Sequence, residues 1–117
     1  MQLRNIMTHD VHAIPPQMSL REAAREMKAC DVGALPVCQN DKLVGMITDR
    51  DITVRSTAEG LDPWTAQVRE AMTAEVICCS EDDDVADAAR LMTEKHVRRL
   101  PVLDRNRRLV GIVSLCD

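Results

Sequence analysis

Apolar residues fall into two rhythms along this chain, and each rhythm occurs twice. Leu20, Ala23, Ala24 and Met27 stand at i, i+3, i+4 and i+7, and so do Val85, Ala88, Ala89 and Met92. That spacing puts each set on one face of a helix. Ser19 with Glu22 three residues later, and Asp84 with Asp87, supply helix-start signals. The first helix is expected to end near Cys30–Asp31 and the second near Lys95–His96. Behind each helix come two short apolar runs, ALPVC then LVGMI, and RLPVL then LVGIV, which read as strands joined by polar turns. Pro36 and Pro101 lack a backbone donor, which predicts a strand start or a sheet edge at those points. A further strand is expected before each helix, near Val11–Ile14 and Val76–Cys79. A short helix should follow Thr48 and run through Arg55.

The duplication extends to the letters. IMTHDV (Ile6–Val11) answers to AMTAEV (Ala71–Val76), and GALPV (Gly33–Val37) to RRLPV (Arg98–Val102). Met72 minus Met7 and Pro101 minus Pro36 both give an offset of 65, while the glycines give 111 − 45 = 66. The second copy therefore has one extra residue in the turn Asp104–Leu109, where a surface turn tolerates it. The division implied is residues 1–60 and 61–117, with the connection at about 58–67. Each half has a short helical lead-in, LRNIM or VREAM, followed by β-α-β-β-α. The fold class is α+β. Neither half can cover its own sheet face, so the two repeats are expected to pack through their sheets with pseudo-twofold symmetry. The sequence stops at Asp117, so the second repeat lacks its final helix here. Trp64, in the connection, is expected to anchor packing over the seam.

Composition narrows the function classes. With 117 residues, 45% of them hydrophobic and 29% charged, the chain has the makings of a soluble folded domain. Trp64 is the sole member of the Phe/Tyr/Trp set, so aliphatic and sulfur side chains must fill the core. The net charge is −4, with 7 basic and 8 acidic residues in the first 60 positions and 8 and 11 in the rest. Without a basic excess or a stacking platform, nucleic acid is not an expected partner. No apolar run is long enough for a membrane span and no signal-peptide pattern opens the sequence. Five cysteines without a Cys-x-x-Cys pair do not form a disulfide scaffold, which fits the cytoplasm. Cys38, Cys78 and Cys79 lie in apolar stretches and read as small buried hydrophobes. His9, His12 and His96 are too scattered for a catalytic triad. A zinc site from His9, His12 and Cys38 has no supporting spacing, so neither enzyme activity nor a metal is assigned.

The chemistry is concentrated in one repeated phrase, LVGMITDRD (Leu43–Asp51) and LVGIVSLCD (Leu109–Asp117). Gly45 and Gly111 permit close approach of a ligand or of another strand. Thr48 and Ser114 stand at a helix start, where free N–H groups favour an anion. Asp51 and Asp117 follow three residues on, one helical turn along, where a carboxylate can accept from the vicinal hydroxyls of a ribose. The same pattern is also an ordinary capping box.

These residues carry a family resemblance. The MT…V entrance, the helix, the Pro-Val strand and the closing Gly-x-x-Thr/Ser-x-x-Asp phrase are all present twice and in order. The chain resembles, over nearly its whole length, a tandem pair of cystathionine-β-synthase (CBS) domains, a Bateman module. DVGALPV and GMITDRDI are similar to the short stand-alone CBS-pair proteins of bacteria, including the hypoxic-response type. The resemblance implies a regulatory module holding an adenosine-containing ligand (AMP, ADP, ATP or S-adenosylmethionine) in clefts between the repeats. It implies no other cofactor. Carried onto this chain, Thr48 and Ser114 meet phosphate or ribose, and Asp51 and Asp117 bind ribose hydroxyls. His12, Ala13, Ile14, Ala34 and Leu35 line one base pocket; Ile77, Cys78, Cys79, Arg99 and Leu100 line the other. Arg50, Arg98 and Arg99 are candidates for polyphosphate, expected to converge across the seam. The resemblance also implies a homodimer and leaves the downstream protein partner unnamed. The alternative is a dimerisation scaffold with vestigial clefts and no nucleotide.

Overall fold

In the computed structural model, which describes residues 1–114, the elements run α1 (Leu20–Cys30), β1 (Ala34–Gln39), β2 (Lys42–Thr48), α2 (Asp49–Asp51), β3 (Cys79–Ser80), α3 (Val85–Lys95), β4 (Arg99–Leu103) and β5 (Leu109–Ser114). The lead-ins are single 3-10 turns, Leu3–Asn5 and Val68–Glu70. Two β-α-β-β repeats thus follow one another, the first completed by α2. No helix of the described residues is long and apolar enough to cross a membrane.

Local chemistry sets the boundaries. Ser19 Oγ accepts from Glu22 N at 3.1 Å and caps α1. Asp84 caps α3 through Ala86 N at 3.1 Å, one residue nearer than a pairing with Asp87 would place it. Both helices end on a left-handed residue, Asp31 with φ 55° and His96 with φ 56°. Val32 N and Val97 N then reach back to Met27 O and Met92 O, each at 3.0 Å, which closes the last turns. Asn40 and Asp41, with φ 53° and 67°, make the two-residue turn between β1 and β2. After Thr48 the helix is α-helical for three residues and continues as π-helix Ile52–Thr57, two residues beyond Arg55.

Two expectations need correction. The strand before each helix is shorter than anticipated: Ile14 alone pairs in the first repeat, in parallel with Val37. Pro15 and Pro16 follow and remove the donors that would extend the ladder. In the second repeat the paired residues are Cys79 and Ser80, opposite Val102 and Leu103. The prolines also lie within strands. Pro101 is in β4, the middle strand of the order β3-β4-β5. The first repeat shows why this is tolerated. Ile14 N donates to Pro36 O at 3.0 Å and Cys38 N donates to Ile14 O at 2.9 Å. The missing proline donor therefore faces the short parallel partner, just where that pairing begins.

The chain forms two compact units, which do not follow the repeats strictly. The first comprises His12–Asn40 and Val44–Val76; the second comprises Met1–Val11, Asp41–Leu43 and the chain from Ile77. The core of the first gathers Ile14, Leu20, Ala23, Met27, Leu35, Val37 and Ile47 with Ala66, Val68 and Ala71. The core of the second joins Cys79, Ala88, Met92, Leu100, Val102 and Val113 with Leu3 and Met7. Each core is thus completed by a lead-in distant in sequence. Leu3 and Val68, equivalent at the offset of 65, are both 0% exposed. Trp64 is not a buried anchor: it is 68% exposed, with the Arg21 guanidinium 4.0 Å from its ring centroid.

Candidate functional site

The glycines of the repeated phrase are explained first. Met46 N donates to Thr73 O and Thr73 N to Met46 O, both at 2.9 Å, so the second Met-Thr lead-in adds to β2. A Cβ on Gly45 would lie 2.7 Å from Met72 Sδ and 2.9 Å from Thr73 O. In the second unit, Thr8 and Ile112 exchange the same pair of bonds at 2.9 and 3.0 Å. A Cβ on Gly111 would lie 2.5 Å from Met7 Sδ and 2.9 Å from Thr8 O. The close approach that these glycines allow is taken by the protein's own Met-Thr segment. The Met-Thr pair and the glycine are one structural device, which is why they repeat together.

In the first unit, β2 delivers Thr48 to the start of β1. Asp49 N donates to Gly33 O at 2.9 Å, and a Cβ on Gly33 would sit 3.2 Å from Asp49 Oδ2. Thr48 Oγ1 accepts from Asp51 N, and Asp51 Oδ2 accepts from Thr48 N, each at 3.0 Å. The phrase is therefore a complete capping box. Among the described residues, Asp51 Oδ1 is engaged by Arg55 Nε alone, at 3.9 Å, and the Asp51 side chain is 16% exposed. Arg55 also donates to Met72 O at 3.2 Å, tying this carboxylate to the lead-in segment. The Asp51–Arg55 spacing of i, i+4 was a readable signal for that contact.

The parallel Ile14–Val37 register runs Ala13 and His12 back alongside Pro36 and Leu35, towards the same end. Of the residues expected to line a base, Ile14 and Leu35 are spent on the core, at 2% exposed each. Ala13 and Ala34 are half-buried, each next to a core residue, Ile14 or Leu35. The His12 imidazole is exposed and held to Glu26 Oε2 at 2.7 Å. Arg50 is exposed beside Asp49, whose Oδ1 accepts from Arg50 N at 2.8 Å.

The second unit repeats the plan. Arg99 pairs with Ser114 and Leu100 with Val113, while Cys79 pairs with Val102, so Ile77 and Cys78 approach the same end. Leu100 and Cys79 are core; Cys78 and Ser114 are half-buried; Ile77, Arg98 and Arg99 are exposed. Burial, with Asp83 and Cys78 adding smaller effects, pushes the Cys79 thiol up to about 11, so it stays protonated near neutrality. Asp117 lies outside the described residues.

Comparison with known proteins agrees with this architecture. The family model described as CBS domain matches residues 3–56 and again 68–117. Hypoxic response protein 1 of Mycobacterium tuberculosis is 39% identical over 115 residues, covering 97% of this chain and 80% of that protein. The crystal structure of Hypoxic Response Protein I with two coordinated zinc ions superposes with a TM-score of 0.90 at 38% identity, covering 99% of this chain and 94% of that one. CBSX2 in complex with AMP gives 0.86 at 28% identity, with coverage of 98% and 90%. The CBS domain pair of MJ0100, in complex with 5-methylthioadenosine and S-adenosyl-L-methionine, gives 0.82 at 30% identity, with coverage of 97% and 89%.

Proposed function

The chain belongs to the CBS-domain family, with two copies in tandem, and on that premise we propose that it is a non-catalytic regulatory module that binds an adenosine-containing ligand at the strand ends of its units. The observation that carries the reading is the disposition of Asp51. One of its oxygens closes the Thr48 cap, while Oδ1 has, among the described residues, only the long contact to Arg55 and is available to ribose hydroxyls. The half-buried alanines Ala13 and Ala34 offer an apolar wall for the base. AMP, 5-methylthioadenosine and S-adenosylmethionine, the ligands of the related structures, share adenosine and do not all carry phosphate. Recognition through the ribose is the chemistry common to them. In the second unit, Ser114 and Arg99 supply a hydroxyl and a cation at the equivalent end.

The complete capping box also favours a second reading, a scaffold in which Thr48 and Asp51 serve only the fold. Calorimetry and thermal unfolding with AMP, ADP, ATP, 5-methylthioadenosine and S-adenosylmethionine separate the two. A ligand that binds only the native state at a hundred times its Kd stabilises it by about 2.7 kcal/mol. Saturable heat with a raised midpoint is expected, at micromolar to millimolar strength. No heat and no shift with any of the five at millimolar concentration establishes the scaffold reading. The module is further proposed to pair with a second copy of itself, consistent with the exposed apolar side chains of Val54 and Trp64, 48% and 68% exposed; light scattering measures this directly.

A further inference from the structure

Three side chains outside the capping box meet on the surface of the first unit. Glu26 and Cys30 stand at i, i+4 on α1, on one face of the helix. His12, on the extended segment before α1, turns its imidazole to the same face, with Nε2 2.7 Å from Glu26 Oε2. The three donor atoms, one nitrogen, one oxygen and one sulfur, all lie within 4.8 Å of one another.

We propose that His12, Glu26 and Cys30 form a binding site for a zinc-class divalent cation, with water in the fourth position. Bond lengths of about 2.0–2.3 Å in a tetrahedral site put donor atoms roughly 3.3–3.8 Å apart. The His12–Glu26 pair must open slightly and the sulfur close in, which rotation of exposed side chains allows. The donor set discriminates among ions. Calcium and magnesium take oxygen ligands, whereas imidazole with thiolate suits zinc and its neighbours. On binding, the Cys30 S–H bond is exchanged for a sulfur–metal bond and the proton passes to solvent. The thiolate and the Glu26 carboxylate then balance the two positive charges of the ion.

The other repeat supports the assignment. At the offset of 65, the equivalents of His12, Glu26 and Cys30 are Ile77, Leu91 and Lys95. The repeat therefore folds without these donors, and all three ligand types occur together in one copy only. An exposed His–Glu pair stabilises a fold little by itself and has no use for a thiol beside it. A metal uses all three.

The probe is Co²⁺, added to the reduced, untagged chain. One equivalent should give tetrahedral visible bands and a near-ultraviolet thiolate-to-cobalt band, and Zn²⁺ should displace it. Cys30→Ser should abolish the thiolate band and weaken Zn²⁺ binding at least tenfold, and His12→Ala and Glu26→Gln should each weaken it as much. Cys78→Ser and His96→Ala should leave spectrum and affinity unchanged. Because His12 and Cys30 are exposed and Glu26 is only half-buried, the metal-free midpoints of these variants should stay close to the parent, while the Zn²⁺-dependent rise in midpoint disappears. A parent without a thiolate band, or a band that survives Cys30→Ser or is lost in Cys78→Ser, overturns the assignment.

Discussion

At the start of β1, Gly33 lies against the Asp49 carboxylate; at the equivalent place before β4 the chain has Arg98, followed by Arg99. The residue equivalent to Asp49 at the offset of 66 is Leu115, so the carboxylate that lies close to Gly33 in one copy has no counterpart in the sequence of the other. The substitutions are linked: where no acid crowds the strand start, a long basic side chain fits. Among the described residues, one end thus carries Asp49 and Asp51 with Arg50, and the other carries Arg98 and Arg99. Two copies of one hydrogen-bond plan have acquired opposite local charge. The lesson is that the duplicated phrase specifies a fold, while the residues around it specify what each end prefers.

The most severe way to break the comparison is to cut the chain. Residues 1–60 lack Val68 and Ala71 from the first core, whereas residues 12–76 contain that core entire. Urea titration should show a cooperative transition for 12–76 and none for 1–60, and the half 61–117, without Leu3 and Met7, should fail likewise. Cooperative folding of 1–60 would show that the lead-ins are dispensable.

Next in size are the glycines. Gly45→Ala and Gly111→Ala each force a methyl against a methionine sulfur and a backbone carbonyl, and overpacking of this kind costs about 1–3 kcal/mol. Gly111→Ala should cost more, because its contacts with the methionine Sδ and Cγ, at 2.5 and 2.8 Å, are tighter than the 2.7 and 3.2 Å of the same atoms at Gly45. Combining Gly111→Ala with Met7→Ala should recover part of the loss. Additive losses in chemical denaturation would sever the link between Met7 and Gly111.

Much of this was legible in the sequence. The 3.6-residue periodicity of Leu20–Met27 and Val85–Met92 gave both helices, because nothing tertiary competes with a strong amphipathic face. The strand prolines were misleading, because the donor they lack concerns one side of a strand and sequence does not tell which side is paired. The role of the glycines needed a partner 27 residues away for Gly45 and 104 away for Gly111, and only the joint repetition of Met-Thr with Leu-Val-Gly hinted at it. The His12–Glu26–Cys30 cluster was invisible to spacing rules, since a residue of the extended segment before α1 meets a helix face at a separation that depends on the fold. Asp51 lay between: its cap and its i, i+4 contact with Arg55 could be read locally, but the division of its two oxygens between Thr48 and Arg55 could not.

A smaller effect sharpens the charge difference. Arg99→Ala should weaken binding of ATP by roughly 1 kcal/mol, the scale of an exposed charge contact, and leave 5-methylthioadenosine unaffected, as calorimetry at two salt concentrations can show. Equal losses for both ligands would mean that Arg99 does not distinguish phosphate.

The central claim, that the Thr48–Asp51 phrase holds a ribose as well as a helix start, is tested most directly by titrating Asp51→Ala, Asp51→Asn and Asp117→Ala with the tightest adenosine ligand. The account predicts a loss of about 1–3 kcal/mol in binding for Asp51→Ala, the scale for leaving a buried hydrogen-bonding group without its partner. Asp51→Asn, which retains an oxygen for Thr48 N, should remain near parental stability yet still bind more weakly. Asp117→Ala should lose less than Asp51→Ala. Unchanged affinity in both Asp51 variants, with only the stability of Asp51→Ala reduced, would show that the phrase is a cap and nothing more.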